Sequence, residues 1–197
     1  MHQPSLLDLE GPATLHPVAA VRRTKLTAGA WVDHQPGWVE GSDELLDGLL
    51  HSVPWRAERR EMYGRTVDVP RLVAWYDERT DLPHPLLHDA RAALTSHYAP
   101  GFGEPFTTAG MCLYRDGHDS VAWHGDTIGR GATHDTLVAL VSFGSPRTLL
   151  LRPRGGGTTR RFALGHGDLL VMGGSCQRTW EHAVPKTSGA VGPRVSV

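Results

Sequence analysis

Up to about residue 104 the apolar positions of this chain follow two habits, and beyond it only one survives. Leu45, Leu46, Leu49 and Leu50 recur at helical spacing and predict an amphipathic helix with one buried stripe. Ser42 reads as its N-cap, and Asp43 and Glu44 fall in the first turn, where the helix dipole favours acids. Leu86, Leu87, Ala90, Ala93 and Leu94 predict a second helix, stopped before Pro100 because proline lacks an N–H and crowds the preceding turn. Thr24 to Pro36 reads as one strand or two broken at Gly29, anchored by Trp31 and Val32, and Leu72 to Tyr76 as a strand. After residue 105 the apolar runs are short and separated by Gly, Pro, Ser or Asp: 107–115, 136–143, 148–152, 161–164, 168–172, 181–184 and 194–197. So many short strands predict a sandwich or barrel. The expected fold is therefore mainly β (α+β), a jelly roll with helices packed outside. Residues 1–22 form a loose lead-in, 23–104 an N-terminal extension with two helices and a hairpin, and 105–197 the jelly-roll core, all within one structural domain.

Composition narrows the class without choosing the chemistry. At 197 residues the chain can bury a core without disulfides or a structural metal. Hydrophobic and charged shares of 40% and 21% are those of an ordinary globular protein. A net charge of -1 excludes no partner, since nucleic-acid binding needs a basic face and not a basic total. Cys112 and Cys176 stand alone in unrelated contexts, so neither a disulfide framework nor a thiolate zinc site is predicted. No apolar run approaches the length of a membrane span, and the N-terminus lacks a basic-then-apolar leader pattern. A cytoplasmic monomer is expected.

Two stretches carry candidate chemistry. In Trp123-His124-Gly125-Asp126 an imidazole and a carboxylate lie two residues apart, which in extended chain aims both to one side. Trp180-Glu181-His182-Ala183-Val184 supplies a second His in another strand-like run. Two His and one carboxylate form the facial triad of non-heme Fe(II) oxygenases, with open positions left on the metal. The second stretch is residues 53–71, a predicted hairpin turning at Gly64, with Met62 and Tyr63 near the tip and Arg56, Arg59, Arg60 and Arg65 around them. It is either a solvated charged hairpin or a phosphate-gripping ribbon with an aromatic wedge. Trp180 and Met172 read as core; Gln177 touches substrate or solvent; His166, in a Gly-His-Gly-Asp turn, has no ligand role.

These residues together resemble the AlkB family of Fe(II)- and 2-oxoglutarate-dependent dioxygenases, which dealkylate nucleic-acid bases. The matching pieces are Val53-Pro54-Trp55, Val69-Pro70-Arg71-Leu72 with Trp75-Tyr76, Leu113-Tyr114-Arg115-Asp116-Gly117 and Trp123-His124-x-Asp126. They continue with Leu151-Arg152-Pro153, Gly167-Asp168-Leu169-Leu170-Val171-Met172, Gln177-x-x-Trp180-x-His182-x-Val184-Pro185-Lys186 and Pro193-Arg194-Val195-Ser196. Their order and spacing agree from about Val53 to the C-terminus. The resemblance implies the double-stranded β-helix form of the jelly roll. It implies Fe(II) on His124, Asp126 and His182, and O₂ as oxidant. 2-Oxoglutarate would sit among Tyr114, Arg194, Ser196 and Cys112, with Arg194 taking its distal carboxylate. It places Arg71 and Tyr76 near a base pocket and Met62 and Tyr63 on a wedge. The implied reaction hydroxylates an N-alkyl group on a DNA or RNA base, releasing formaldehyde, succinate and CO₂. The alternatives are a 2-oxoglutarate-dependent hydroxylase of a protein or small molecule, and a catalytically weak metal-binding jelly roll. Three features depart from the family pattern. Cys112 stands where relatives have Asn, Thr127 and Ile128 stand where they have acids, and a second arginine six residues after Arg194 would fall at position 200 of a 197-residue chain.

Overall fold

The computed structural model describes residues 12–197 except 20, 63, 64 and 128. In chain order the strands are β1 (Thr14–Leu15), β2 (Arg22–Lys25), β3 (Trp31–Gln35), β4 (Val39–Glu40), β5 (Arg56–Met62), β6 (Arg65–Tyr76), β7 (Ala109–Tyr114), β8 (Val121–His124), β9 (Val138–Gly144), β10 (Arg147–Pro153), β11 (Arg160–Leu164), β12 (Asp168–Gly173), β13 (Trp180–Val184) and β14 (Arg194–Ser196). The helices are α1 (Asp43–Ser52), α2 (Pro85–Phe102) and the short α3 (Cys176–Thr179). A major sheet of order β2-β3-β12-β9-β14-β7-β6-β5 faces a minor sheet of order β11-β10-β13-β8, with β1 and β4 forming a small ribbon. The expected strands after residue 105 are all present. The major sheet is continuous across residue 104, because β3 pairs with β12 and β6 with β7.

Alternation divides the major sheet into two chemically distinct faces. On the outer face Ala74, Tyr76, Met111, Leu113, Val141, Phe143, Leu169, Val171 and Val195 pack against Leu45 and Leu49 of α1 and Leu86, Leu87, Ala90, Leu94 and Tyr98 of α2. Leu45 and Leu49 are each 1% exposed, and burying such a side chain stabilises by about 1.5–3 kcal/mol. On the inner face Val32, Tyr114, Leu170 and Met172 meet Leu149, Leu151, Leu164, Trp180 and Val184 of the minor sheet and its approach. Met172 and Trp180 are core, as expected.

Two local expectations change. Ser42 precedes α1, but its hydroxyl makes no cap hydrogen bond and instead meets Nε2 of His166. Because Gly144 N–H donates to His166 Nδ1 at 2.7 Å, the ring proton sits on Nε2 and is donated to Ser42. His166 thus ties α1 to the edge of β9. The second helix also does not stop before Pro100. It continues to Phe102 and ends on Gly103 in the left-handed region (φ 73°), whose N–H bonds Ala99 O. In the last turn a proline forfeits only one backbone bond. Just before it, Tyr98 is held in the core and donates its hydroxyl to buried Asp33 at 3.0 Å.

Candidate metal centre and active site

β8 and β13 pair so that His124 lies directly opposite His182, which puts both rings on the same inward face. Their centroids are 4.2 Å apart. Asp126 arrives differently from the simple alternation of a strand. β8 ends at His124, and Asp126 lies beyond it in irregular chain. Two contacts fix this short exit. Asp126 N–H donates to Gln177 Oε1 at 2.9 Å. Gly125 passes so close to α3 that an added Cβ would come within 2.6 Å of Gln177 O and 2.7 Å of the Arg154 guanidinium. Gln177 is therefore closed off from solvent. It is 1% exposed and acts on the backbone between two ligands. Its partner lies 51 residues away in sequence, and no local signal reveals such a pairing.

Asp126 Oδ1 is 3.7 Å from His124 Nε2, and Oδ2 is 3.6 Å from His182 Nε2. One ligand atom from each of the three residues lies within 4.8 Å of the others. His124 Nδ1 meets the Ala122 carbonyl at 2.9 Å and must donate to it, so Nε2 keeps its lone pair for the cluster. His182 is buried, and its pKa falls to about 3, chiefly because burial disfavours its cation, with His124 and Arg71 adding repulsion. It is thus a neutral ligand at ordinary pH. Burial pushes the Asp126 carboxyl upward, opposed by His124 and Arg71. A divalent cation would relieve that penalty. Two imidazole nitrogens and a carboxylate around one point suit Fe(II).

Beside the triad, β14 and β7 bring a second set together. Arg194 is registered on Tyr114, and Ser196 on Cys112. Arg194 is 1% exposed; its Nε donates to Ser142 Oγ at 2.8 Å, while Nη1 is buried without a hydrogen-bond partner. An uncompensated buried guanidinium is costly, and burial indeed lowers its pKa. Its open donor fits one end of a dicarboxylic acid. Tyr114 is buried against Arg194 and Arg147, and burial raises its phenol to about 12, so it stays a protonated donor. Arg147, beside the same phenol, has three of its five N–H donors already taken. It donates to the carbonyls of Asp116, Asp119 and Pro185. Burial pushes the Cys112 thiol up, against the pull of Arg71 and Arg194.

The comparisons with known proteins agree with this geometry. The model of the 2OG-Fe(II) oxygenase superfamily matches residues 36–195. Human alpha-ketoglutarate-dependent dioxygenase alkB homolog 3 is 32% identical over 99% of this chain and 72% of its own length. Human DNA oxidative demethylase ALKBH2 is 28% identical over 79% of this chain and 67% of its own. The chain is an AlkB-family 2OG-Fe(II) oxygenase. It is accordingly an Fe(II)- and 2-oxoglutarate-dependent dioxygenase that uses O₂. A 2OG-Fe(II) oxygenase-family oxidoreductase from Burkholderia pseudomallei shares the fold, with TM-score 0.52 and 15% identity over 78% of this chain and 76% of its own. The non-heme alpha ketoglutarate dependent epimerase SnoN from nogalamycin biosynthesis does likewise, at 0.52 and 17% over 84% and 74%.

In this AlkB-family chain the inward face of β6 decides which expected substrate residues reach the site. Leu72 is registered on Leu113 and Val73 on Cys112, so Arg71 lies beside Tyr114 on the inner face. Arg71 is half-buried, has an unpartnered Nε, and acts electrostatically on Asp126, His182 and Cys112. Tyr76 is not brought to the site. It is registered on Ala109, is 7% exposed and packs in the outer core with α2. Met62 ends β5 opposite Arg65, whereas Tyr63 and Gly64 at the tip lie outside the described residues. Thr127 is exposed; Ile128 also lies outside the described residues.

Proposed function

We propose that this protein oxidatively dealkylates N-alkylated nucleic-acid bases, in DNA or RNA, and so reverses alkylation damage directly. The observation that carries this reading is the similarity to a DNA oxidative demethylase over 79% of the chain. Arg71 beside the triad and the arginine-bearing β5–β6 hairpin agree with it. Fe(II) with 2-oxoglutarate and O₂ supplies the oxidising power, and formaldehyde, succinate and CO₂ are the products. His124, Asp126 and His182 would hold the metal, with Gln177 fixing the backbone that carries Asp126. The unpartnered Nη1 of Arg194 would take the distal carboxylate of 2-oxoglutarate, with the Tyr114 hydroxyl, Ser196 and Cys112 lining its berth. Arg71 would place a cation at the open side of the site, where it orients a polar ring and repels competing cations. A monomer in the cytoplasm suits the task. No helix among the described residues is long and apolar enough to cross a membrane.

The test is incubation with Fe(II), 2-oxoglutarate and an oligonucleotide bearing one N-methylated base, followed by base analysis and formaldehyde detection. Demethylated base with stoichiometric succinate supports the reading. Succinate formation driven by a small molecule or peptide, with the methylated base left intact, overturns it.

A further inference from the structure

We propose that Trp123, Arg152 and Glu181, on the outer face of the minor sheet, form a clamp that holds a bulge in β8 and thereby aims His124 at the metal. They are positioning residues, acting through His124 and not on the reacting atoms. The inference rests on His124 as a metal ligand and adds the residues that place it. The pairing of β8 with β13 is irregular: His182 is registered on His124, but Val184 on Val121. Over that stretch β13 advances two residues while β8 advances three, so Ala122 and Trp123 together oppose Ala183, which is a β-bulge. His124 and Val121 both face inward, His124 in the metal cluster and Val121 against the inner core. Strict alternation would put residues three apart on opposite faces, and the extra residue reconciles them. Without it, holding Val121 in place would turn Trp123 inward opposite His182 and His124 outward. The carbonyl of Ala122, inside the bulge, also takes the Nδ1–H of His124 at 2.9 Å. The bulge thus sets both the direction of this ring and its tautomer.

The neighbouring strands supply what keeps Trp123 outward. Leu151 packs in the inner core and is registered on His182, so Arg152, the next residue, faces out and is registered on Glu181. The Arg152 guanidinium carbon lies 4.2 Å from the centre of the Trp123 ring. Its Nε and Nη2 both donate to Glu181 Oε2, at 3.2 and 3.1 Å. The ion pair holds the guanidinium in place, and the guanidinium covers the indole. Trp123 stays half-buried where it stands, whereas the slipped register would offer it the interior. A cation and its apolar stem over the indole face favour the outward position in the bulged register alone. A stacked arginine or a cross-strand ion pair is by itself an ordinary feature of a sheet surface. Here one guanidinium makes both contacts, to the residues immediately before the two histidines of the cluster.

The experiment uses the full chain, with Co(II) as the metal probe and nitrogen NMR of the histidine rings in metal-free protein. Arg152→Ala is expected to weaken Co(II) binding about tenfold, the low end for losing a group that orients a ligand, and to shift the Co(II) absorption bands. In its metal-free state His124 should change from a single Nδ1–H tautomer to a mixture. Trp123→Phe keeps an aromatic face for the guanidinium and should stay close to the parent in both readouts. Where Arg152→Ala does not fold, Arg152→Lys takes its place, since it keeps the charge but loses the planar stack and the paired bonds. His166→Ala, destabilised away from the metal, should retain the parent Co(II) spectrum and so separates lost stability from lost aim. Parent-like affinity, spectrum and tautomer in the Arg152 variant, with Co(II) binding lost in His124→Ala, would overturn the clamp and leave the metal site standing. Unchanged Co(II) binding in His124→Ala would overturn both.

Discussion

The floor of the active site and its rim are built on opposite terms. At the floor, Arg194, Ser142, His182 and Gln177 are polar groups shut away from water at 7% exposure or less, each placed by a partner from a distant strand or helix. At the rim, Arg56 and Trp75 lie on the two strands at one edge of the major sheet, open to solvent. Buried polar groups couple stability to chemistry, because an unmatched one costs the fold as well as the reaction. Exposed groups are free of that coupling. Floor substitutions should therefore change metal or cosubstrate binding, and rim substitutions should leave both unchanged.

The strongest way to break that contrast is at the metal. His182→Ala removes one of three candidate ligands, and iron affinity and succinate formation should collapse while circular dichroism still reports a folded protein. His166→Ala is the counterpart. It should keep iron but lose about 1–3 kcal/mol of stability, because Gly144 N–H and the Ser42 hydroxyl both lose a buried partner. The reverse pattern would exchange their roles.

Gln177→Met keeps the volume but removes the acceptor for Asp126 N–H. Metal affinity should fall about 10–100-fold, the usual effect of losing an outer-shell partner, as read by titration with Co(II). Unchanged affinity would show that the close packing of Gly125 alone fixes the exit from β8. Arg194→Lys retains the charge and loses the fork. 2-Oxoglutarate binding should weaken by about 1–3 kcal/mol with metal affinity unaltered.

A smaller effect is expected from pH. In metal-free protein the His182 pKa is depressed to about 3, below its unfolded value near 6.5, so the unfolded state binds the proton first. Stability from this group is complete above about pH 6.5 and drains away as the pH falls toward 3. Urea midpoints of wild type and His182→Ala, compared along that range after chelation, should converge on the acid side. The smallest effect belongs to the rim. Arg56→Ala should move stability by less than about 0.5 kcal/mol, and a larger drop would make it part of the fold.

Much of this was legible in the residues alone. The strands after residue 105 and both long helices follow from periodicity, which is a local property of the chain. The candidate ligands His124, Asp126 and His182 were legible because spacing and residue type carry the chemistry of a metal site. What failed to be legible depends on register and on long-range partners. The sequence offers Trp75 and Tyr76 as equivalent neighbours on β6. Pairing of Tyr76 with Ala109 turns it into the helix-packed core and turns Trp75 to the open inner face, and a slip of one residue would exchange them. Ser42 looked like a helix cap and His166 a bystander until the fold set their side chains against each other across 124 residues. Gln177 likewise gained its role only when α3 closed on Gly125. Periodicity and motif need only neighbouring residues, so the sequence by itself determined the strands, the helices and the candidate metal ligands. Facing, partner and burial are properties of two segments at once, and for these residues only the tertiary structure decided them.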